Sequence, residues 1–218
     1  MIIICGGTFD PFHDGHLHVV RWLLAHLQPS QLIVLPASKN PLKDGVQGAS
    51  GEQRLEMARL ALETLKDSRV ATSDLEIKRT GPSYTIDTLR ALSAQFQEGL
   101  TLCIGSDSAL SFPQWREPHA ILKIAKLLIV RREPVFSLKA LSAALSLRCA
   151  IDNEEELTNG VSVQLVEIGA LPISATRLRG EIAEYWASSS GKNEPQGIQR
   201  SVWLYIKDNQ LYTRSSFR

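Results

Sequence analysis

At 218 residues, with 24 Lys and Arg against 23 Asp and Glu, the chain is long enough for one sizeable core and lacks the strong basic field of a general nucleic-acid binder. Hydrophobic residues at 44% and charged residues at 22% are ordinary globular values and argue against a disordered or fibrous chain. No apolar run approaches the roughly 18 residues that span a bilayer, and Cys5, Cys103 and Cys149 form no C-x-x-C pair. With no signal peptide at its start, the sequence predicts a cytoplasmic protein with reduced thiols and neither a nucleic-acid nor a membrane partner. Any anionic ligand must be gripped locally.

In chain order, "IIIC" (residues 2–5) is a short apolar run that reads as a strand buried on both faces. It stops at Gly6 and Gly7, which permit backbone conformations or close approaches that a side chain would block, and Thr8 adds a hydroxyl. Asp10 and Pro11 turn the chain. A helix is expected over residues 15–27, with Leu17, Val20, Leu24 and Leu27 on one face. "LIVL" (32–35) is the next strand, followed by a loop that carries Lys39 and Lys43. Crossover helices follow, one burying Leu55, Ala58, Leu62 and Leu65, the other Ile86, Leu89 and Phe96. "LTLCIG" (100–105) and "KLLIV" (126–130) are further strands, and Cys5 and Cys103 are expected in the core. A fifth strand is expected through "VSVQLVEI" (161–168), then a helix capped by Ser174. Residues 188–197, "SSSGKNEPQG", read as a loop. The last helix is expected over residues 198–207, with Val202, Leu204, Tyr205 and Ile206 on its buried side, and the tail after Leu211 is expected to be mobile.

This alternation predicts one domain over residues 1–218: a doubly wound, Rossmann-like α/β fold with a parallel sheet, helices on both faces and a small C-terminal helical part. Ligands in such sheets bind beyond the carboxyl ends of the strands.

His16 falls in the first turn of the first predicted helix, where free backbone N–H groups and the positive end of the helix dipole favour an anion. His13 lies on the approach, so two imidazoles meet one phosphate. A loop histidine with no ligand is the plain alternative at either position. A metal site from His13, His16, His18 and Asp10 has suitable ligand types, but tandem glycines before a helix already account for the arrangement. The G-K-[ST] of a Walker loop and the G-x-G-x-x-G of a dinucleotide fingerprint are both missing.

"GGTFDPFHDGH" resembles the H-x-G-H signature of the nucleotidylyltransferase superfamily, and "ISATRLR" (173–179) resembles its second motif, with Ala175 in the small-residue slot. Alignment makes Arg179 the motif arginine and leaves Arg177 as a second candidate. "PSYTIDTL" (82–89) and "IGSDSALSFPQW" (104–115) are similar to the bacterial nicotinate mononucleotide adenylyltransferases. Four separated motifs thus fall in one order from about residue 3 to residue 212.

The resemblance implies adenylyl transfer from ATP to nicotinate mononucleotide, with His13, His16 and Arg179 catalytic. It implies an ATP site from Gly6, Gly7, Thr8, Phe9, His16, Asp107, Ser174, Thr176, Arg177 and Arg179. The mononucleotide would meet Lys43, Tyr84, Thr85, Trp115 and Arg132, and Mg²⁺ would be held by ATP phosphates rather than by protein ligands. The residue types suit these roles. Trp115 offers a flat face for a pyridine ring, or else is a rim or core aromatic. Tyr84 and Thr85 open a helix whose N–H groups suit a carboxylate, or Thr85 is a plain N-cap. Asp107 suits ribose hydroxyls, or caps a helix near Ser108, and Lys43 is otherwise a solvated loop lysine. Phosphopantetheine adenylyltransferase, which shares both end motifs, and a catalytically silent nucleotide sensor on the same fold are the competing readings.

Overall fold

Strands β1 (Ile2–Gly7), β2 (Gln31–Pro36), β3 (Val70–Thr72), β4 (Leu100–Gly105), β5 (Ala125–Arg131) and β6 (Val163–Glu167) form a parallel sheet in the order β3-β2-β1-β4-β5-β6. These strands belong to a computed structural model that describes residues 1–38, 48–131, 163–169, 171–188 and 193–213. Side chains alternate along a strand, so a strand covered on both sides must supply two cores. Ile3, Cys5, Leu32, Val34, Cys103, Leu128 and Val130 enter one core. Ile2, Ile4, Ile33, Leu35, Leu102, Ile104, Leu127 and Ile129 enter the other.

Among the described residues the α-helices are α1 (Asp14–Leu27), α2 (Gly51–Leu62), α3 (Thr85–Ser93), α4 (Ser106–Ser111), α5 (Pro118–Ile124), α6 (Ala175–Ala187) and α7 (Arg200–Asp208). Helices α1, α2, α6 and α7 cover the first core with Leu17, Leu23, Met57, Ala61, Ile182, Val202 and Ile206. Helices α3, α4 and α5 cover the second with Ile86, Leu89, Ala109 and Ile121. Ser50 caps α2 with a reciprocal Ser50–Gln53 capping box, and Ser174 accepts the Arg177 N–H at the start of α6. The doubly wound parallel sheet, with helices on both faces, is as the alternation of elements predicts. Among the described residues no helix is long and apolar enough to cross a membrane.

Several expectations are corrected. β3 was not foreseen: it has three half-buried residues at the sheet edge and no apolar run to mark it. The fifth predicted strand is β6, described from residue 163, since residues 161 and 162 lie outside the described residues. The buried stripe of α2 is Arg54, Met57, Ala58, Ala61 and Leu62, with Leu55 only half-buried, so the face is displaced and includes an arginine. On α7 the residue turned inward is Trp203, whereas Leu204 is 41% exposed, because Val202, Trp203 and Ile206 form the helical stripe over the sheet. The chain after Leu211 does not drift off at once: Tyr212 is 2% exposed and bonded to Asp10. The loop before α7 is tied down by Glu194, which pairs with Arg200 and Lys207.

Strand order reverses direction between β1 and β4. The carboxyl ends of these two neighbours open the crevice in which ligands of open α/β sheets bind, with Gly6 and Gly7 ending β1 and Gly105 ending β4.

Candidate active site

Beyond β1 the backbone does what two glycines and an aromatic permit. Neither Gly6 nor Gly7 has positive φ, so their conformational freedom is not what the loop uses. A methyl group on Gly7 would instead lie 2.8 Å from the Phe9 ring, which folds back over it. Phe9 itself takes the left-handed conformation with φ of 52°, a sparsely populated state for a bulky residue and a mark of a loop held by its surroundings. A Cβ on Gly6 would meet nothing within 4 Å, so the protein's own packing does not require glycine there. Thr8 Oγ1 is buried and lacks a hydrogen-bond partner among the described residues.

His13 is the N-cap of α1, and His16 follows in its first turn. Their rings stack with centroids 3.6 Å apart, and the His16 ring also packs on Phe9 and Phe12. A Cβ on Gly15 would come 3.0 Å from the His13 ring, so the glycine between the histidines makes room for the buried one. The His13 N–H donates to His16 Nδ1 at 3.2 Å. That bond places the proton of a neutral His16 ring on Nε2. The helix start is less open than the sequence suggested, because the Asp14 N–H donates to the Gly197 carbonyl and the His16 N–H to the His13 carbonyl. Gly197, with φ of 92° and Ile173 against it, is shaped for that contact. His18 Nε2 lies 2.7 Å from the Ile168 carbonyl oxygen and lines a small cavity with His13, while Asp10 Oδ1 accepts from Ala49 N–H and Tyr212.

The second motif reaches the same loop. Arg179 Nη1 donates to the Asp10 carbonyl at 2.7 Å, and Nη2 lies 3.4 Å from Thr176 Oγ1. Arg177 is exposed and paired with Glu181 on its own helix. Of the two candidate arginines, Arg179 is the one joined to the β1–α1 loop.

Across the crevice, Tyr84 is the N-cap of α3 and Thr85 its first residue, so the plain N-cap role does not fall to Thr85. No side chain of the described residues caps α3, and the first N–H groups of a helix have no earlier turn to accept them. Trp115 is half-buried against the second core, tilted on Phe112, with Nε1 3.4 Å from Ser111 Oγ. Arg116, next in the chain, stands 4.8 Å over the Tyr84 ring and 3.7 Å from Asp87, and Arg90 pairs with Glu117. These contacts bring the Trp115 segment to the head of α3. Asp107 is exposed in the first turn of α4, which begins at Ser106, so it does not cap a helix near Ser108. Lys39, Lys43, Arg132 and Cys149 lie outside the described residues.

Residues outside every motif complete the support. Arg54, 4% exposed, donates from Nη1 to the Thr8 carbonyl, from Nη2 to Ser38 and from Nε to Ala49, which satisfies the fork of an otherwise costly buried charge. Burial lowers its pKa against the pull of Asp10. Glu76, also buried, accepts the Thr88 hydroxyl at 2.8 Å beneath α3, and burial pushes its carboxyl up. Among the described residues no group of three or more His, Cys, Asp or Glu is placed to hold a metal ion.

The cytidylyltransferase-like family profile matches residues 4–181. A probable nicotinate-nucleotide adenylyltransferase of Roseiflexus sp. is 38% identical over 209 residues, covering 96% of each chain. One from Legionella pneumophila is 32% identical over 216 residues, covering 97% of this chain and 98% of the relative. In fold, the chain is similar to the nicotinic acid mononucleotide adenylyltransferase of Plasmodium falciparum complexed with NaAD, at a TM-score of 0.72 and 17% identity, covering 100% of this chain and 98% of the other. With the H-x-G-H rings, the second-motif arginine and the Tyr84 and Trp115 segments at the same end of the sheet, the chain belongs to the cytidylyltransferase-like family and, within it, to the nicotinate-nucleotide adenylyltransferases.

Proposed function

We propose that this protein, a single nucleotidylyltransferase domain acting in the cytoplasm, joins ATP to nicotinate mononucleotide, giving nicotinate adenine dinucleotide and pyrophosphate, a step of NAD biosynthesis. The observation that carries the reading is the stacked His13–His16 pair at the head of α1, with Arg179 bound to the same loop.

The mononucleotide phosphate attacks the α-phosphorus of ATP in line, and pyrophosphate leaves. The attacking oxygen is already anionic, so no general base is needed and no adenylyl-enzyme forms. Catalysis then consists of aligning two polyanions and stabilising the charge that builds on the phosphoryl oxygens. His16 Nε2 and His13 serve as donors to the triphosphate. Arg179, with Ser174, Thr176 and the more exposed Arg177 beside it, takes the outer phosphates. Gly6, Gly7, Thr8 and Phe9 form the floor under ATP. The open space at Gly6 and the buried Thr8 hydroxyl both suit a nucleotide at close range. Asp107 accepts from ribose hydroxyls. Mg²⁺, held by the ATP phosphates rather than by protein ligands, would supply neutralisation of their charge.

On the acceptor side, the N–H groups at Thr85 take the ring carboxylate, Tyr84 and Trp115 flank the pyridine, and Lys43 and Arg132 take the mononucleotide phosphate. The deciding experiment incubates the protein with Mg²⁺, ATP and each of nicotinate mononucleotide, nicotinamide mononucleotide and phosphopantetheine, scored by pyrophosphate release. Fastest release with nicotinate mononucleotide supports the reading. Preference for phosphopantetheine, or no release with any acceptor, rejects it.

A further inference from the structure

Asp10 sits where the loop after β1 turns toward α1, and it is almost wholly enclosed. Its Oδ1 accepts the Tyr212 hydroxyl at 2.6 Å and the Ala49 N–H at 3.1 Å, while its backbone carbonyl accepts Arg179 Nη1 at 2.7 Å. A methyl group on Gly48 would fall 1.7 Å from Asp10 Oδ2, so the segment before α2 closes on the other carboxylate oxygen. The Ala49 carbonyl accepts Arg54 Nε, and Arg54 Nη1 donates back to the Thr8 carbonyl, which completes a ring of hydrogen bonds around the loop. Tyr212 lies 202 positions from Asp10 and in none of the sequence motifs. Its burial and the adjacent carboxylate both keep its hydroxyl protonated, and so a donor.

We propose that Tyr212 is a positioning residue for adenylyl transfer, acting through Asp10 on Arg179. The inference rests on the reading above, in which Arg179 grips the triphosphate. An arginine on a flexible stem is aimed only as well as its partners are fixed. Its contact to the Asp10 carbonyl is shorter than that to Thr176, and the Asp10 side chain is held in turn by the Tyr212 hydroxyl and the Ala49 N–H. Removing that hydroxyl takes a donor from a buried carboxylate oxygen and frees the residue that Arg179 leans on.

A double-mutant cycle tests this, using Tyr212→Phe, Arg179→Ala and the pair, with thermal melts to show that each is folded at the assay temperature. Tyr212→Phe is expected to lower kcat about tenfold, as loss of alignment does, and Arg179→Ala about a hundredfold, as loss of a charge-stabilising donor does. If Tyr212 works through Arg179, the double variant is no slower than Arg179→Ala alone, a coupling that general loosening of the fold would not produce. Parental turnover in Tyr212→Phe, or losses that multiply in the double variant, overturns the positioning role and leaves the proposed reaction standing. Parental turnover in Arg179→Ala overturns the role given to Arg179, and this inference with it.

Discussion

On the β1 side of the crevice, Phe9, Asp10, His13 and Arg54 are all buried, and each is fixed by backbone carbonyls, a neighbouring ring or the Tyr212 hydroxyl. On the α3 side, Tyr84, Thr85 and Trp115 are half-buried and joined through Arg116, Arg90, Asp87 and Glu117, whose side chains are a third to a half exposed. Exposed ion pairs of this kind contribute little and are screened by salt. The first side is therefore held by buried contacts and the second by exposed ones; under the proposed function the first would stabilise the transition state and the second, softer wall would select the acceptor. Substitutions on the two sides should then appear in different kinetic constants.

The largest effect should come from the rigid side. His16→Ala removes a fixed donor and should lower kcat by about 10²-fold or more with little change in melting temperature. Turnover near the parental value would show that the stacked pair is structural. Discrimination on the soft side should be next. The amide of nicotinamide mononucleotide brings no charge to the head of α3, so kcat/KM should favour the nicotinate form by about 10²-fold, and parity between the two would remove the carboxylate role from Thr85 and its neighbours. Smaller still, Trp115→Ala should raise KM for the mononucleotide by roughly tenfold while KM for ATP moves little, the cost of a lost aromatic contact. Equal shifts in both would mean that the two walls are not separate.

The least effect concerns stability under the soft wall. Burial raises the Glu76 carboxyl in the folded state, so the folded chain binds that proton more tightly than the unfolded one. The stability linked to it is present below the unfolded value and is lost as pH rises through the raised one. Glu76→Gln keeps an acceptor for Thr88 without the charge. Its melting temperature relative to the parent should therefore improve as pH is raised from about 4 to about 7, and an unchanged difference across that range would show that Glu76 carries no such linkage.

Much of the rigid side can be read from the chain. An apolar run ending in glycines, followed by helical spacing and two histidines, constrains β1, its loop and α1, because each local preference agrees with the others. The supports cannot be read in this way. Arg54 falls on the buried stripe of α2 by period but is assigned to solvent by its polarity, and the three carbonyls converging on it explain its burial. Tyr212 is an ordinary aromatic until the fold carries it to Asp10. β3 is too short and too near the sheet edge to leave a pattern. Both Arg177 and Arg179 follow Ser174 within one and a half turns, so the motif makes Arg179 its arginine but does not show that only Arg179 touches the β1–α1 loop. Leu204 and Trp203 differ by one position in helical phase, which is within the error of reading a short amphipathic stretch.

The bond between Asp10 and Tyr212 also sets a schedule for synthesis of the chain. β1 and β2 emerge within the first 36 residues, and β4 completes the centre of the sheet by residue 105. A domain folds as a unit, and the core over β1 draws on residues from Ile3 to Tyr212. The loop that follows Gly7 nevertheless waits for a hydroxyl at position 212. A polypeptide halted after α6 would carry both histidines and the second-motif arginine, yet Asp10 would lack its last donor. The Asp10 carboxylate thus gains its full set of donors only when position 212 is in place, and a piece of this chain ending before it has the outline of the cleft without that fastening.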